Sequence, residues 1–176
     1  MDLEFRSLNI LDAQVLLHFA KTAFIDSYSQ LNTPENMDIY INANFTIDKI
    51  STELSDSTNI FSGIFSGQNL VAYTKLRPNN YDDSIAKQLI ELERIYVAKE
   101  YHGLKIGQRL MYQCKAYAKS NNYSELWLGV WDQNEKAIAF YKKMGFEIFS
   151  SHDFILGTEK QNDYLMKFKL LDLPNI

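Results

Sequence analysis

Cysteine is all but absent: Cys114 is the only one in 176 residues. No intramolecular disulfide can form, which suits a reducing compartment. The three prolines and seven glycines make no Pro/Gly/Ser-rich stretch. With no low-complexity segment and no obvious repeat, nothing marks a boundary, and a single domain over residues 1–176 is expected. Positive charge is in deficit, 18 Lys and Arg against 22 Asp and Glu, for a net charge of -4. Nucleic-acid binders normally concentrate Lys and Arg to displace counterions, so no nucleic-acid partner is expected. Long apolar runs are missing as well. Residues 1–10 carry Asp2, Glu4 and Arg6, unlike a secretory signal, and no stretch reaches transmembrane length. These absences imply a cytoplasmic protein with no membrane partner. His18, His102 and His152 are too scattered for a zinc-ligand motif, so no metal is expected.

What is present suffices for a core, with 46% hydrophobic and 14% aromatic residues. Leu3, Phe5 and Leu8 suggest a first strand. Residues 12–24 read as a helix capped by Asp12, since Ala13, Leu16, Leu17, Ala20 and Phe24 recur at helical spacing. A second helical region begins at Pro34 and runs through Ile39, Tyr40, Ala43 and Ile47 toward Leu54. Residues 59–66 and 69–76 are β-rich runs around Gly67-Gln68, a hairpin signature, and residues 77–87 form a polar loop. A strand over residues 89–97, a helix over 106–121 and a strand over 125–131 follow. In that helix Ile106, Leu110, Cys114 and Ala118 form one core-facing stripe. Asp132 and Glu135 stand in capping-box spacing before a helix over residues 134–144, which Gly145 ends as a left-handed C′ residue. Strands over residues 146–156 and 163–171 finish the chain. This order predicts an α/β layered domain around a mixed sheet.

The informative unit is the strand at residues 89–97, the loop at 98–105 and the helix after it. A strand feeding a glycine-containing turn into a helix N-terminus presents unpaired N–H groups and the positive dipole end, which suit a phosphate. Gly103 and Gly107 by themselves also fit plain relief of backbone strain. Tyr141 shares a stripe with Ala137, Phe140 and Met144, the usual pattern of a core residue. Glu91 and Glu93 interrupt an apolar strand, and an ion pair between Glu93 and Arg94 or a lysine is one reading. Cys114, on a core-facing stripe, reads as packing rather than nucleophile. Asp26, Asp38, Asp82 and Asp83 are scattered acids of the kind usually just solvated.

Three motifs in order, Leu92-Glu93-Arg94-Ile95-Tyr96-Val97, the loop from His102 to Gly107, and the run from Asn134 to Phe146, resemble the GCN5-related N-acetyltransferase (GNAT) superfamily. Leu126-Trp127-Leu128-Gly129-Val130-Trp131, with the segment from His152 to Gly157, resembles its PaiA-type spermine/spermidine acetyltransferases. The match covers residues 89–171 well and the first half more loosely, through Phe24, Tyr28 and Pro34-Glu35-Asn36. The resemblance implies a central mixed, mostly antiparallel sheet of about seven strands flanked by about four helices. It also implies direct transfer of acetyl from acetyl-CoA to a primary amine of a polyamine such as spermidine or spermine. A peptide α-amine or another small amine is the alternative acceptor, and a non-catalytic CoA-binding module the alternative class. A homodimer is compatible with the sequence, which offers no distinguishable interface.

Carried over residue by residue, the resemblance assigns the main chain of Ile95, Tyr96 and Val97 to the pantetheine arm, as an added strand. It assigns His102, Gly103, Leu104, Lys105, Ile106, Gly107 and Gln108 to the pyrophosphate. Lys105 departs from the family, standing where its first loop glycine belongs; it would be strained if φ there is positive, yet brings a cation to a dianion. Asn134 is implied to bond the pantetheine or acetyl region, Asp132 being available as the cap. Tyr141 is implied as the general acid at the CoA sulfur. A phenol near pKa ~10 is a weaker acid than a thiol near ~8.5, so it would act largely by hydrogen-bonding the departing sulfur. The amine, near pKa ~10.4, must lose a proton, and the base assigned is Glu93, with Glu91 or a water relay as alternatives. The family bulges this strand, which would reverse the facing of everything beyond it.

Overall fold

A computed structural model of the chain describes residues 2–78 and 89–172. Asp82, Asp83 and most of the expected polar loop lie outside the described residues. Among the described residues seven strands, β1 (Leu3–Ser7), β2 (Ile60–Ser66), β3 (Asn69–Pro78), β4 (Leu89–Val97), β5 (Glu125–Trp131), β6 (Glu147–Leu156) and β7 (Glu159–Lys169), form one sheet in the order β1-β2-β3-β4-β5-β7-β6. Every neighbouring pair is antiparallel except β4 and β5. A parallel pair needs a crossover, here a helix, α4 (Ile106–Ser120). The expected mixed, mostly antiparallel α/β sheet is observed.

The helices α1 (Ala13–Tyr28), α2 (Pro34–Asn44), α3 (Ile47–Ser55) and α5 (Glu135–Lys143) complete the main elements. The second helical region is therefore two helices, giving five rather than four among the described residues. Thr46, extended at φ -113° and ψ 153°, breaks the run and accepts the Lys49 N–H as a new N-cap. Asp12 does not cap α1 with its side chain; it accepts the Asn9 N–H and pairs with Arg6 at 2.7 Å. The last strand starts earlier than the residue 163 expected, because a tight turn at Gly157 and Thr158 joins β6 to β7.

Two cores sandwich the sheet. Leu16, Ala20 and Ile50 from α1 and α3 pack on Phe61, Phe65 and Tyr73. On the other face, Met111, Cys114 and Ala118 of α4 pack on Ile90, Leu92, Leu126, Leu128 and Val130. The α4 stripe of Ile106, Leu110, Cys114 and Ala118 is buried throughout, and burial pushes the Cys114 thiol pKa up to about 12, against a nucleophilic role. Gly145, at φ +86°, ends α5 in a Schellman motif, with Gly145 N–H on Lys142 O and Phe146 N–H on Tyr141 O. Gly157, at φ +63°, has Asn36 so close that a Cβ would stand 2.5 Å from its Oδ1. Asn36 accepts the Thr158 N–H at 3.0 Å, docking α2 onto the β6–β7 turn.

Candidate active site

Among the described residues β4 and β5 are paired only over Leu89–Glu91 and Glu125–Trp127, so beyond Glu91 the strands part and leave a cleft of about 1490 Å³. The cause lies in β4. Leu76 pairs with Leu92 and Lys75 with Arg94, which leaves Glu93 as the extra residue of a bulge. Before it, Ile90 and Leu92 face the α4 core; after it, Ile95 and Val97 do, while Tyr96 turns to the α1–α2 side. The bulge thus reverses the facing, and Glu91, Glu93 and Arg94 come to share one charged cluster on the α3 side. Ala98 N–H bonds Val71 O. By antiparallel alternation, Ile95 and Val97 therefore turn their main-chain groups away from β3 and toward the parting.

Beyond β4 the chain turns through Gly103 at φ +81° and Lys105 at φ 61°, ψ 14°. The position filled by Lys105 does demand a left-handed residue. Lys105 is the N-cap of α4 and makes no side-chain cap bond, so the first-turn N–H groups gain nothing from it. The His102 ring meets Val97 O through Nε2 at 2.9 Å, tying the loop back to the end of β4. Replacing Lys105 with Gly is expected to raise stability by up to about 1 kcal/mol, since a left-handed non-glycine residue costs more than glycine's extra chain entropy. Thermal denaturation of the two proteins checks it.

Across the cleft stands α5. Asn134, not Asp132, is its N-cap: Asn134 Oδ1 accepts the Ala137 N–H at 3.1 Å. Asp132 is engaged by Asn162 Nδ2 at 3.1 Å and by Gln133. Capping through Oδ1 leaves the Asn134 Nδ2 donor for a ligand. Tyr141 packs with Phe140 and Phe146, ring centroids 5.4 and 6.0 Å away, and also lines the cleft. Burial raises its phenol pKa well above the usual tyrosine range, with Tyr28 and Cys114 adding to the effect. Core packing and cleft exposure are thus both true of this residue.

Of the residues expected at the site, Glu93, Ile95, Tyr96, Val97, His102, Gly103, Lys105, Ile106, Gly107, Gln108, Asn134 and Tyr141 all border this one cleft. Leu104 does not, and projects half-exposed from the loop. The sequence model of the Acetyltransferase (GNAT) family matches residues 17–146. The chain belongs to this family. An uncharacterised N-acetyltransferase of Lactobacillus delbrueckii subsp. lactis is 29% identical over 161 residues, 91% of this chain and 93% of the relative. A spermidine N(1)-acetyltransferase of Thermoplasma acidophilum is 27% identical over 162 residues, 89% and 96% of the two chains. The crystal structure of the PaiA N-acetyltransferase of Thermoplasma acidophilum, in complex with coenzyme A, aligns with a TM-score of 0.80 at 26% identity, covering 96% of this chain and 99% of that one. As a GNAT protein the chain is an acetyl-CoA-dependent N-acetyltransferase. The cleft fits that cosubstrate, with a free strand edge, an uncapped helix N-terminus and a phenol along its length.

The electrostatics of this GNAT site centre on the bulge. Glu93 lies 3.0 Å from Lys75 and 3.2 Å from both Arg77 and Arg94. Glu53 of α3 holds Arg94 at 2.8 Å and Lys75 at 3.3 Å, while Glu91 holds Arg77 at 2.6 Å. Burial works to raise the Glu93 pKa, but Arg94, Lys75 and Arg77 outweigh it and hold it below the usual carboxylate value. A carboxylate so stabilised is a poor proton acceptor. The ion pair with Arg94 read from the sequence is present, and it weighs against Glu93 as the base. Glu91 is likewise paired, although burial raises its pKa.

Sequence reasoning missed the partners that come from afar, Glu53 and Tyr40 on α3 and α2, and Asp163 on β7. Tyr28, on the α1–α2 side of the sheet, has its pKa pushed up to about 12 by burial, opposed by a hydrogen bond with Tyr96. Asp26 is paired with Lys99 at 2.9 Å, and Asp38 is exposed. No group of three or more His, Cys, Asp or Glu arranged to hold a metal occurs among the described residues. No helix among them is long and apolar enough to cross a membrane.

Proposed function

We propose that this enzyme transfers acetyl from acetyl-CoA to a primary amine of a small polyamine of the spermidine class. The observation that carries this reading is the spermidine N(1)-acetyltransferase that matches 89% of the chain. In this reading the outward-turned main chain of Ile95 and Val97 binds the pantetheine arm in the manner of an added strand. The first turn of α4, preceded by Gly103 and Lys105, takes the pyrophosphate with backbone N–H donors and the Lys105 ammonium. Asn134 donates from Nδ2 to the pantetheine or acetyl region. Tyr141 hydrogen-bonds the departing sulfur, and Glu93 keeps the bulge open rather than taking a proton. Transfer is direct, the rate coming largely from alignment of a neutral amine with the thioester. The acceptor enters from the α1–α2 side, where Tyr28, Tyr40 and Tyr96 gather, opposite the α5 side that carries Tyr141.

The test is acetyl-CoA consumption across a panel of amines: spermidine, spermine, a simple monoamine and a short peptide with a free α-amine. Spermidine or spermine is expected to give the highest kcat/KM, by about tenfold or more over the monoamine, which offers one cation where a polyamine offers several. Preference for the peptide or the monoamine would replace the polyamine by that class. Binding of acetyl-CoA without turnover of any amine would leave a non-catalytic module.

A further inference from the structure

On the acceptor side of the sheet, one carboxylate stands apart from the ion-paired cluster. Asp163 of β7 lies in register with Trp131 of β5 on one side and His152 of β6 on the other. Its side chain is 15% exposed, and its Oδ1 is buried without a hydrogen-bond partner. Its Oδ2 lies 3.9 Å from His152 Nε2, an imidazole half-exposed to solvent. Both side chains flank Gly129, whose missing side chain leaves a gap: a Cβ there would stand 3.6 Å from Asp163 Oδ2 and 3.8 Å from His152 Nε2. Gly129 is exposed and borders the cleft.

Glu53, Glu91 and Glu93 are each bound by Lys75, Arg77 or Arg94, and Asp132 by Asn162 and Gln133. An incoming ammonium would have to break one of those pairs, whereas Asp163 has no hydrogen-bond partner on Oδ1 and, on the Oδ2 beside the Gly129 gap, faces only His152 at 3.9 Å. Burial raises the Asp163 pKa, with His152 opposing and Asp132 adding to the rise. Its environment thus moves it toward proton acceptance, whereas that of Glu93 moves the other way. The charge of Asp163 is felt by Tyr28 of α1 and Tyr40 of α2, and Tyr28 is also electrostatically coupled to Tyr141. Tyr28, Tyr40, His152 and Asp132 are thus the titratable neighbours that α1, α2, β6 and the end of β5 contribute.

We propose that Asp163 receives the ammonium of the acceptor and takes its proton, and that His152 passes that proton to solvent beside the gap at Gly129. This rests on the amine-acetylating reading above. The ammonium proton moves to the Asp163 carboxylate. The freed amine forms the C–N bond as the thioester C–S bond breaks, and its second proton goes to the sulfur held by Tyr141. Asp163 then loses its proton through His152, and one proton leaves per turnover.

The experiment compares the full-length wild type with Asp163→Asn, His152→Gln and Gly129→Val, on the amine the wild type uses best, and measures acetyl-CoA affinity separately by titration. Asp163→Asn is expected to lose about 10²-fold or more in kcat/KM for the amine, with acetyl-CoA affinity within twofold. In the wild type, log kcat/KM should be level between the Asp163 pKa and the amine pKa, because carboxylate and ammonium together hold the proton that moves, and should fall with slope one below the Asp163 pKa. In Asp163→Asn, which can use only the neutral amine, it should rise with slope one all the way to the amine pKa. His152→Gln should lose about tenfold, recovered in part by added imidazole. Gly129→Val fills the gap without altering Asp163 and should raise the amine KM, a readout that stands even if Asp163→Asn folds poorly. Unchanged rates and slopes in Asp163→Asn, or an unchanged amine KM in Gly129→Val, overturn the assignment. A wild type that binds acetyl-CoA but acetylates no amine instead overturns the reading beneath it.

Discussion

Tyr141→Phe is expected to lower kcat by about 10²–10³-fold while leaving acetyl-CoA affinity and melting temperature nearly unchanged. The magnitude is that of deleting one donor aimed at charge developing in the transition state. The ring should stay in place. It is C3 of the Schellman motif that ends α5, and it packs against Phe140 and Phe146 through aromatic contacts that Phe retains. Only the hydroxyl is lost. Because burial raises the phenol pKa, Tyr141 stays protonated at every practical assay pH, and no basic limb of the rate profile should come from it. The same shift makes full proton transfer to a thiolate more uphill than the ~2 kcal/mol separating an ordinary phenol from a thiol. Hydrogen-bonding to the sulfur is therefore the larger share of its action. Steady-state kinetics with an acetyl-CoA titration checks this, and a kcat within twofold of wild type would remove Tyr141 from the mechanism.

The parts of this site visible in the sequence are those encoded by neighbours along the chain. The α4 stripe, the left-handed demand at Lys105 and the stop at Gly145 each depend on a few adjacent residues, and each is found where the pattern put it. Competition between neighbours was harder to read. Asp132 and Asn134 both suit a helix start, and Asn134 won because Asp132 is drawn to Asn162 on β7. Likewise the apolar spacing through Ile39 and Ile47 says nothing of Thr46, whose capping bond ends one helix and begins the next. Contacts between distant segments were not legible at all. Glu53 and Arg94 are 41 residues apart, and the pairing of Asp163 with Trp131 and His152 exists only once three strands align. The role expected of Glu93 turned on this. Position and bulge followed from the motif, but the three cations that hold its carboxylate come from β3 and its own strand after the bulge has turned them to one side.

Glu93→Gln accordingly tests a structural role against a chemical one. It is expected to cost about 2 to 3 kcal/mol of stability, below the ~3–5 kcal/mol typical of breaking a buried pair. Lys75 keeps Glu53, Arg77 keeps Glu91, and the Gln carbonyl still accepts from one cation. For a chain of this length that is roughly 5 to 10 °C in melting temperature. The pH dependence has a definite sign. The Glu93 pKa is lowered by folding, so its contribution is present above the unfolded carboxylate pKa of ~4.3 and is lost as pH falls through the folded value. The gap between wild type and Glu93→Gln should therefore be full at pH 7 and close on acidification below about pH 4. Activity should fall about tenfold or less where both proteins are folded, because the bulge loosens while Asp163 and Tyr141 remain. Thermal melts at several pH values, with kcat/KM measured well below both melting temperatures, separate the outcomes. An unchanged melting temperature with a loss beyond about 10²-fold would make Glu93 the base after all, since removal of a general base costs that much and needs no loss of stability.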